Sequence, residues 1–418
     1  MPGIFRYLGE RRRVIFRLLK HHALWFFAEA FGNRARADLP TVIFVRRSAR
    51  SRIYNHAASL ATCGFQSLLV AQAFDYPYHR EMFPGIYPWY KASSIPAILR
   101  KLIAKHKVIA IVSSLQPSAQ TLEILKEKWP APVFIDHHDS AWSQVYFQPD
   151  GTQNHGGDSD PWLSAEEVEK EKYCFTHVDG VIARSNELVE LFQANSVTTP
   201  TEVFEDCCAA EYFEPIASGS GPRREEWAIA YAGMVFPMDH DPRFAFPQFV
   251  NLASIFARER IHFHIYPGQH HEYLYPEYDA EAGVNPYFHM HRSVDFGAIR
   301  KELARYDFGL VGFNPPSDYR LFSPVHFRHI LHAKFHTYLE AGLPIIVSRI
   351  FAHEADIIRK YQAGFVVDQS DPAGLRKLIE SADIAVLRRN VAVLRNDFLA
   401  ERQGARLRDF LAGPISRP

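Results

Sequence analysis

The sequence predicts an α/β protein of two doubly wound domains facing a cleft, preceded by a basic amphipathic helical segment. Three observations predict it. Short apolar runs alternate with helical stretches from residue 40 onward, and such alternation implies mostly parallel sheets covered on both faces. The alternation breaks at 216–226 (IASGSGPRREE), a stretch rich in Gly, Ser and charge, and then restarts; that composition marks a linker. The 418 residues are enough for two or three domains, and 47% hydrophobic with 22% charged residues is a globular balance with sizeable cores.

The first segment, 1–37, carries eight Arg and Lys against only Glu10 and Glu29. Residues 4–31 read as one or two helices with Val14, Ile15, Leu18, Leu19, Trp25 and Phe26 near one face. A basic, aromatic amphipathic helix can lie on an anionic membrane surface. It can equally pack on the body of the protein with its basic face solvated, and periodicity does not separate the two.

The first α/β domain spans 38–215. Its strands read as Thr41–Arg46 (TVIFVR), Ser67–Ala71, Val108–Ser113, Pro132–Asp136 and Asp179–Ala183, apolar runs suited to burial on both faces. Helices fall at Ser51–Cys63, Ile95–His106, Ser118–Lys128, about 164–176 and Asn186–Ala194. After the 216–226 linker, the second domain spans 227–383. Its strands read as Ala228–Ala232, His262–Tyr266, Tyr287–His291, Asp307–Phe313, Pro344–Ser348 and Phe365–Asp368. Its helices read as Pro247–Arg258, Phe296–Tyr306, His332–Ala341, Ala352–Tyr361 and Asp371–Ser381. The last segment, 384–418, is helical and charged and is expected to pack back across the domains. Two such domains place a ligand cleft at the carboxyl ends of both sets of strands.

Composition excludes several classes. Basic and acidic residues balance at 47 each, which argues against a nucleic-acid binder. Cys63, Cys174, Cys207 and Cys208 show no zinc spacing, and so few thiols suit a reducing compartment. No apolar run approaches the ~20 residues of a membrane span, and Arg17, Lys20, His21 and His22 interrupt any signal-peptide core. The expected location is therefore cytoplasmic, with peripheral attachment to the inner face of the cell membrane left open by the N-terminal helix. Neither half has GxGxxG after its first strand, so no cofactor is expected. The 21 histidines look scattered along the chain and are read mostly as surface residues.

The strongest local signal is His332-Ala333-Lys334-Phe335-His336-Thr337-Tyr338-Leu339-Glu340-Ala341-Gly342-Leu343-Pro344, followed by Ile345-Ile346-Val347-Ser348. Gly342 caps a short helix and Pro344 prevents its continuation. Lys334 stands in the first turn, where a cation is unfavourable unless an anion is also there. A nucleotide diphosphate would supply that anion. With AYAGMV (230–235), VDGVIARS (178–185) and DFGLVGF (307–313), this segment resembles the B-type nucleotide-sugar glycosyltransferases, built from two Rossmann-like domains.

The resemblance implies sugar transfer from a nucleotide-sugar donor to a glycan or lipid-linked glycan acceptor. It implies a donor site at Gly233, Met234, Gly268, Lys334 and Tyr338, with Glu340 near it. Two departures stand out. Where many members keep two glutamates eight positions apart, this chain has His329 and Thr337, and the loop after Gly233 lacks an Arg–Lys pair. The pattern is similar to the divergent exopolysaccharide branch, including glucuronosyltransferases.

At the end of the fourth strand stands Asp136-His137-His138-Asp139. Glycosyl transfer needs a base near the acceptor hydroxyl, and His137, His138 or Asp139 suits that task. The alternative is a capped turn with a solvated histidine. A metal is not expected there, since consecutive side chains point apart. Arg46-Arg47-Ser48 follows the first strand and precedes a helix, a ready site for acceptor or phosphate groups, or else a solvated basic turn. Asp239-His240-Asp241 looks like a DxD motif, but its place after a first strand suits a loop touching the donor. Two other functions remain open: a nucleotide-sugar epimerase, and a non-catalytic glycan-binding or regulatory protein.

Overall fold

A computed structural model of the protein describes residues 34–48, 51–73, 82–115, 118–147, 163–216, 226–237, 247–268, 275–312, 323–368 and 374–413. The N-terminal helical reading at 4–31 and most of the 216–226 linker lie outside these residues. Among the described residues, no helix is long and apolar enough to cross a membrane.

The first sheet has seven strands: β1 Pro40–Ser48, β2 Gln66–Ala73, β3 Gly85–Pro88, β4 Lys107–Ser113, β5 Val133–Asp136, β6 Gly180–Ala183 and β7 Thr201–Val203. The second has six: β8 Trp227–Gly233, β9 Ile261–Pro267, β10 Phe288–Met290, β11 Phe308–Val311, β12 Ile345–Ser348 and β13 Gly364–Val367. Every pairing is parallel. The strand orders are β3-β2-β1-β4-β5-β6-β7 and β10-β9-β8-β11-β12-β13. Both follow the doubly wound order in which the chain reverses direction beside the first strand, so ligand crevices open beyond the carboxyl ends of β1/β4 and β8/β11.

The alternation of side chains explains why one strand needs apolar residues at every position. Along β1, Ile43 and Val45 join a core with Leu99, Ile124, Phe175 and Leu188. Val42 and Phe44 turn to the other face, against Ile53, Leu60, Leu407 and Leu411. The last two come from the C-terminal helix Gly404–Ala412. The preceding helix, Ile384–Asp397, buries Leu387, Val391 and Leu394 in the core of the second sheet. The end of the chain thus crosses from the second domain back to the first. Gly404 permits the contact, because a Cβ there would lie 2.2 Å from the Ser59 carbonyl oxygen. Cys174, Cys207 and Cys208 are buried and Cys63 half-buried, all as free thiols.

The helix Ala333–Glu340 ends as its sequence requires, with Gly342 at φ 75° and the Gly342 amide donating to the Leu339 carbonyl at 3.0 Å. It brings the motif residues to the carboxyl ends of β8 and β9.

Candidate active site

On the second domain, β8 ends at Gly233, whose φ of 149° suits a residue without a side chain. A Cβ there would meet Lys334 Cε at 3.1 Å, and the Gly268 amide donates to the Gly233 carbonyl at 2.8 Å. Gly233, Gly268 and Lys334 therefore converge at one point. The Lys334 ammonium lies 4.9 Å from the centre of the Tyr231 ring, whose hydroxyl donates to the Met234 carbonyl at 2.8 Å. Gly233, Met234, Gly268 and Lys334 are all half-buried. Desolvation, with Arg184 nearby, pushes the Lys334 ammonium down to about 7 against the opposing pull of Glu354. Glu354 holds the start of this helix: its carboxylate accepts from the His332 amide at 2.6 Å and meets His332 Nδ1 at 3.0 Å.

Tyr338 and Glu340, expected beside the donor, take other places. Tyr338 is fully buried; its hydroxyl donates to the Leu310 carbonyl at 3.0 Å and accepts from the Ala232 amide at 2.9 Å. Its ring lies on Gly309, where a Cβ would come within 2.4 Å. It props β8 and β11 beneath the site. Glu340 faces the opposite way along the helix, pairing with Arg300 at 2.6 Å and accepting from the Ala209 amide at 3.0 Å. It borders a pocket of about 30 Å³ that also meets Asn55, Asp206, Cys207 and His336.

On the first domain, Asp136 at the end of β5 is buried and held by Arg46, by Arg52 at 2.8 Å and by His56 at 3.4 Å. Burial alone would raise its pKa, but these partners hold it well below the usual carboxylate range. The basic turn after β1 therefore divides. Arg46 and Arg52 point inward as counter-ions of Asp136, while Arg47 is exposed. β1 itself runs on to Ser48.

The Asp136-His137-His138-Asp139 run also divides. His137 is buried against Phe175, and desolvation pushes it down to about 4, a neutral core imidazole. His138 and Asp139 keep 20% and 22% side-chain exposure and bond to each other, Nδ1 to Oδ2, at 2.7 Å. Burial opposes the charge on Asp139, yet His138 and Arg184 keep it well below the usual range. With Asp139 ionised, the shared hydrogen belongs to His138 Nδ1 and Nε2 carries the lone pair, the arrangement of an oriented base.

Arg184, at the end of β6, joins the two halves. It lies 3.5 Å from Asp139, 3.5 Å from Asp206, and donates to the Leu331 carbonyl at 2.8 Å, three residues before Lys334. Arg52 closes the chain of charges by meeting Asp206 at 3.0 Å. The short helix Pro324–His329 adds further bridges: His326 to Glu187 at 2.8 Å and His329 to Glu190 at 2.7 Å. Sequence reasoning missed Arg184, Asp206 and Glu354. The one local hint was Arg184 at a strand's carboxyl end. Residues 238–246, 269–274 and 313–322, with Asp239, His240 and Asp241 among them, lie outside the described residues.

The glucosyltransferase 3-like C-terminal domain family matches residues 251–398. No curated protein matches the chain by sequence. Among solved structures, sucrose-phosphate synthase from Thermosynechococcus elongatus is similar at 14% identity and TM-score 0.57, over 89% of this chain and 99% of that one. A glycosyltransferase from Rickettsia africae ESF-5 is similar at 10% identity and TM-score 0.58, over 90% and 100%. The catalytic domain of starch synthase IV from Arabidopsis thaliana, bound to ADP and acarbose, is similar at 11% identity and TM-score 0.54, over 91% and 100%.

The chain has the B-type glycosyltransferase fold, and residues 251–398 of its second domain are similar to the glucosyltransferase 3-like family. The Gly233–Gly268–Lys334 cluster belongs to that second domain, and the His138–Asp139 pair stands after β5 of the first, linked to the second through Arg184.

Proposed function

We propose that the chain transfers a sugar from a nucleotide-sugar donor to a hydroxyl of a glycan or lipid-linked glycan. The observation that carries this reading is the convergence of Gly233, Gly268 and Lys334 at the carboxyl ends of β8 and β9. Two glycines let backbone approach a ligand closely, and a partly desolvated ammonium is most stable opposite an anion. The donor diphosphate fits that description.

His138 serves as the base. As the acceptor oxygen attacks the anomeric carbon, a carbon–oxygen bond forms and the bond to the diphosphate breaks. The nucleoside diphosphate leaves with the electron pair, and the acceptor proton passes to His138 Nε2. Asp139 stabilises the imidazolium, and Arg184 holds Asp139 in place. The described cleft carboxylates Asp136, Asp139, Asp206 and Glu354 each have an arginine or histidine partner. That favours transfer over an epimerase, which needs carboxylates available for carbon–hydrogen chemistry. The basic amphipathic segment 4–31 would add reversible attachment to an anionic membrane, where lipid-linked acceptors reside.

A thermal-shift screen against UDP, GDP, CMP and TDP tests the reading. A ligand of the folded state stabilises by ~2.7 kcal/mol at a hundredfold excess over Kd. At least one nucleotide should raise Tm in the parent and not in Lys334→Ala. A chain stabilised by none of them is a non-catalytic relative.

A further inference from the structure

The histidines that look scattered in sequence are gathered in space on β9 and β10. Along β9 the period of two sends Phe263 and Ile265 into the core with no exposure, while His262 and His264 share the opposite, half-buried face. The parallel register sets His289 beside His264. His262 Nδ1 meets His289 Nε2 at 2.9 Å, and one step further His264 Nδ1 meets His291 Nε2 at 2.9 Å. The rings of His264 and His289 stack at 4.2 Å, and those of Tyr266 and His291 at 4.3 Å. His262, His264 and His289 each offer a ring nitrogen, and the three nitrogens lie within 4.8 Å of one another. No other such group of His, Cys, Asp and Glu occurs among the described residues.

We propose that His262, His264 and His289 form a binding site for a divalent cation of the zinc type on the outer face of the second domain. Imidazole nitrogens suit zinc, copper and nickel, and three of them leave a fourth position for water. Tetrahedral ligands at 2.0–2.1 Å stand roughly 3.4 Å apart. The His262–His289 pair must open slightly and His264 must swing in, both within the reach of side-chain rotation.

The surroundings are those of a ligand set. The Glu226 carboxylate lies 2.9 Å from His262 Nε2, so that nitrogen holds the hydrogen and Nδ1 presents its lone pair towards His289. A carboxylate on the far nitrogen orients a metal-binding histidine and raises its basicity. His291 fixes the His264 ring in the same way. On binding, His289 moves its hydrogen from Nε2 to Nδ1, and no proton is lost from the cluster. The cation would tie β9 to β10, an edge strand of three residues, and both to Glu226 at the start of β8.

Calorimetric titration of zinc into the metal-free full-length chain tests the site. One zinc per chain should bind. Loss of an orienting partner typically weakens a site about 10–100-fold, so Glu226→Gln should fall in that range and His264→Ala should lose at least about 100-fold. His289→Gln, a volume-conserving change on the edge strand, gives the same readout should His264→Ala fail to fold. Cobalt in place of zinc should produce the visible absorption of a four-coordinate histidine site, absent in His289→Gln. No binding by the parent, or unchanged affinity and cobalt spectrum in His289→Gln, would overturn the site.

Discussion

Replacing Lys334 with methionine should make the protein more stable and less able to bind its donor. The lysine is held half-buried over Tyr231, and desolvation lowers it from 10.5 to about 7. That shift corresponds to a penalty of about 4–5 kcal/mol as an upper bound on the charged form. Water at a half-buried site reduces this to about 1–2 kcal/mol. Methionine keeps most of the apolar stem and removes the charge, so Tm should rise by roughly 1–2 °C. The sign depends on pH. The unfolded chain holds this proton up to about 10.5 and the folded chain only to about 7, so parental stability climbs with pH between those values. The advantage of methionine is therefore largest at pH 7 and below and vanishes above 10.5. Donor affinity should fall by about 1.5–3 kcal/mol, the range for a hydrogen bond to a charged group. In the parent, diphosphate affinity should weaken by up to about tenfold per pH unit above 7, because binding must then recharge the lysine. Scanning calorimetry and nucleotide titration at pH 6, 7 and 9 measure both effects. A variant with lowered Tm and unaltered affinity would refute the reasoning.

Three further outcomes are expected. His138→Ala and Asp139→Asn should lower turnover by about 10²–10⁴ while leaving donor affinity nearly intact, as for groups acting at the transition state; near-normal turnover in both would make the pair structural. Glu340→Ala should destabilise the chain by about 1–3 kcal/mol in urea unfolding, since it removes the buried carboxylate that pairs with Arg300 and accepts from the Ala209 amide; an unchanged unfolding midpoint would show that these two bonds contribute nothing to stability. Deleting residues 1–36 should abolish binding to anionic vesicles, to which each basic residue contributes ~1 kcal/mol, and leave a donor-binding enzyme; failure of the truncated chain to fold would place this helix in the core.

What could be read from the sequence was set by how local each signal is. The runs TVIFVR, VIAIVS and IIVS announce strands buried on both faces, and the structure places β1, β4 and β12 there. β3 (GIYP) and β7 (TEV) escaped because edge strands are covered on fewer sides and need no continuous apolar run. The helix Pro276–Val284 escaped because its nine residues, PEYDAEAGV, bury only Tyr278 and show no apolar stripe. Lys334 was legible because a lysine in a helix's first turn violates a local rule. Arg46 was misleading for the opposite reason. Its partner Asp136 is 90 positions away, so nothing near it tells a counter-ion from an exposed anion ligand. Glu340 was placed by its helix yet pointed by Arg300 and Ala209, neither adjacent in sequence. The histidine ladder has the same cause, since its pairs are separated by 27 residues and meet only through strand register.

The central claim is that a nucleotide-sugar diphosphate binds where Gly233, Gly268 and Lys334 meet. A crystal structure of the chain with the nucleoside diphosphate chosen by the thermal screen tests it most directly. The account predicts the diphosphate against the backbone of Gly233 and Gly268, with Lys334 Nζ within hydrogen-bond distance of a phosphate oxygen. A diphosphate bound anywhere else, such as at Arg47 or in the pocket beside Glu340, would contradict it.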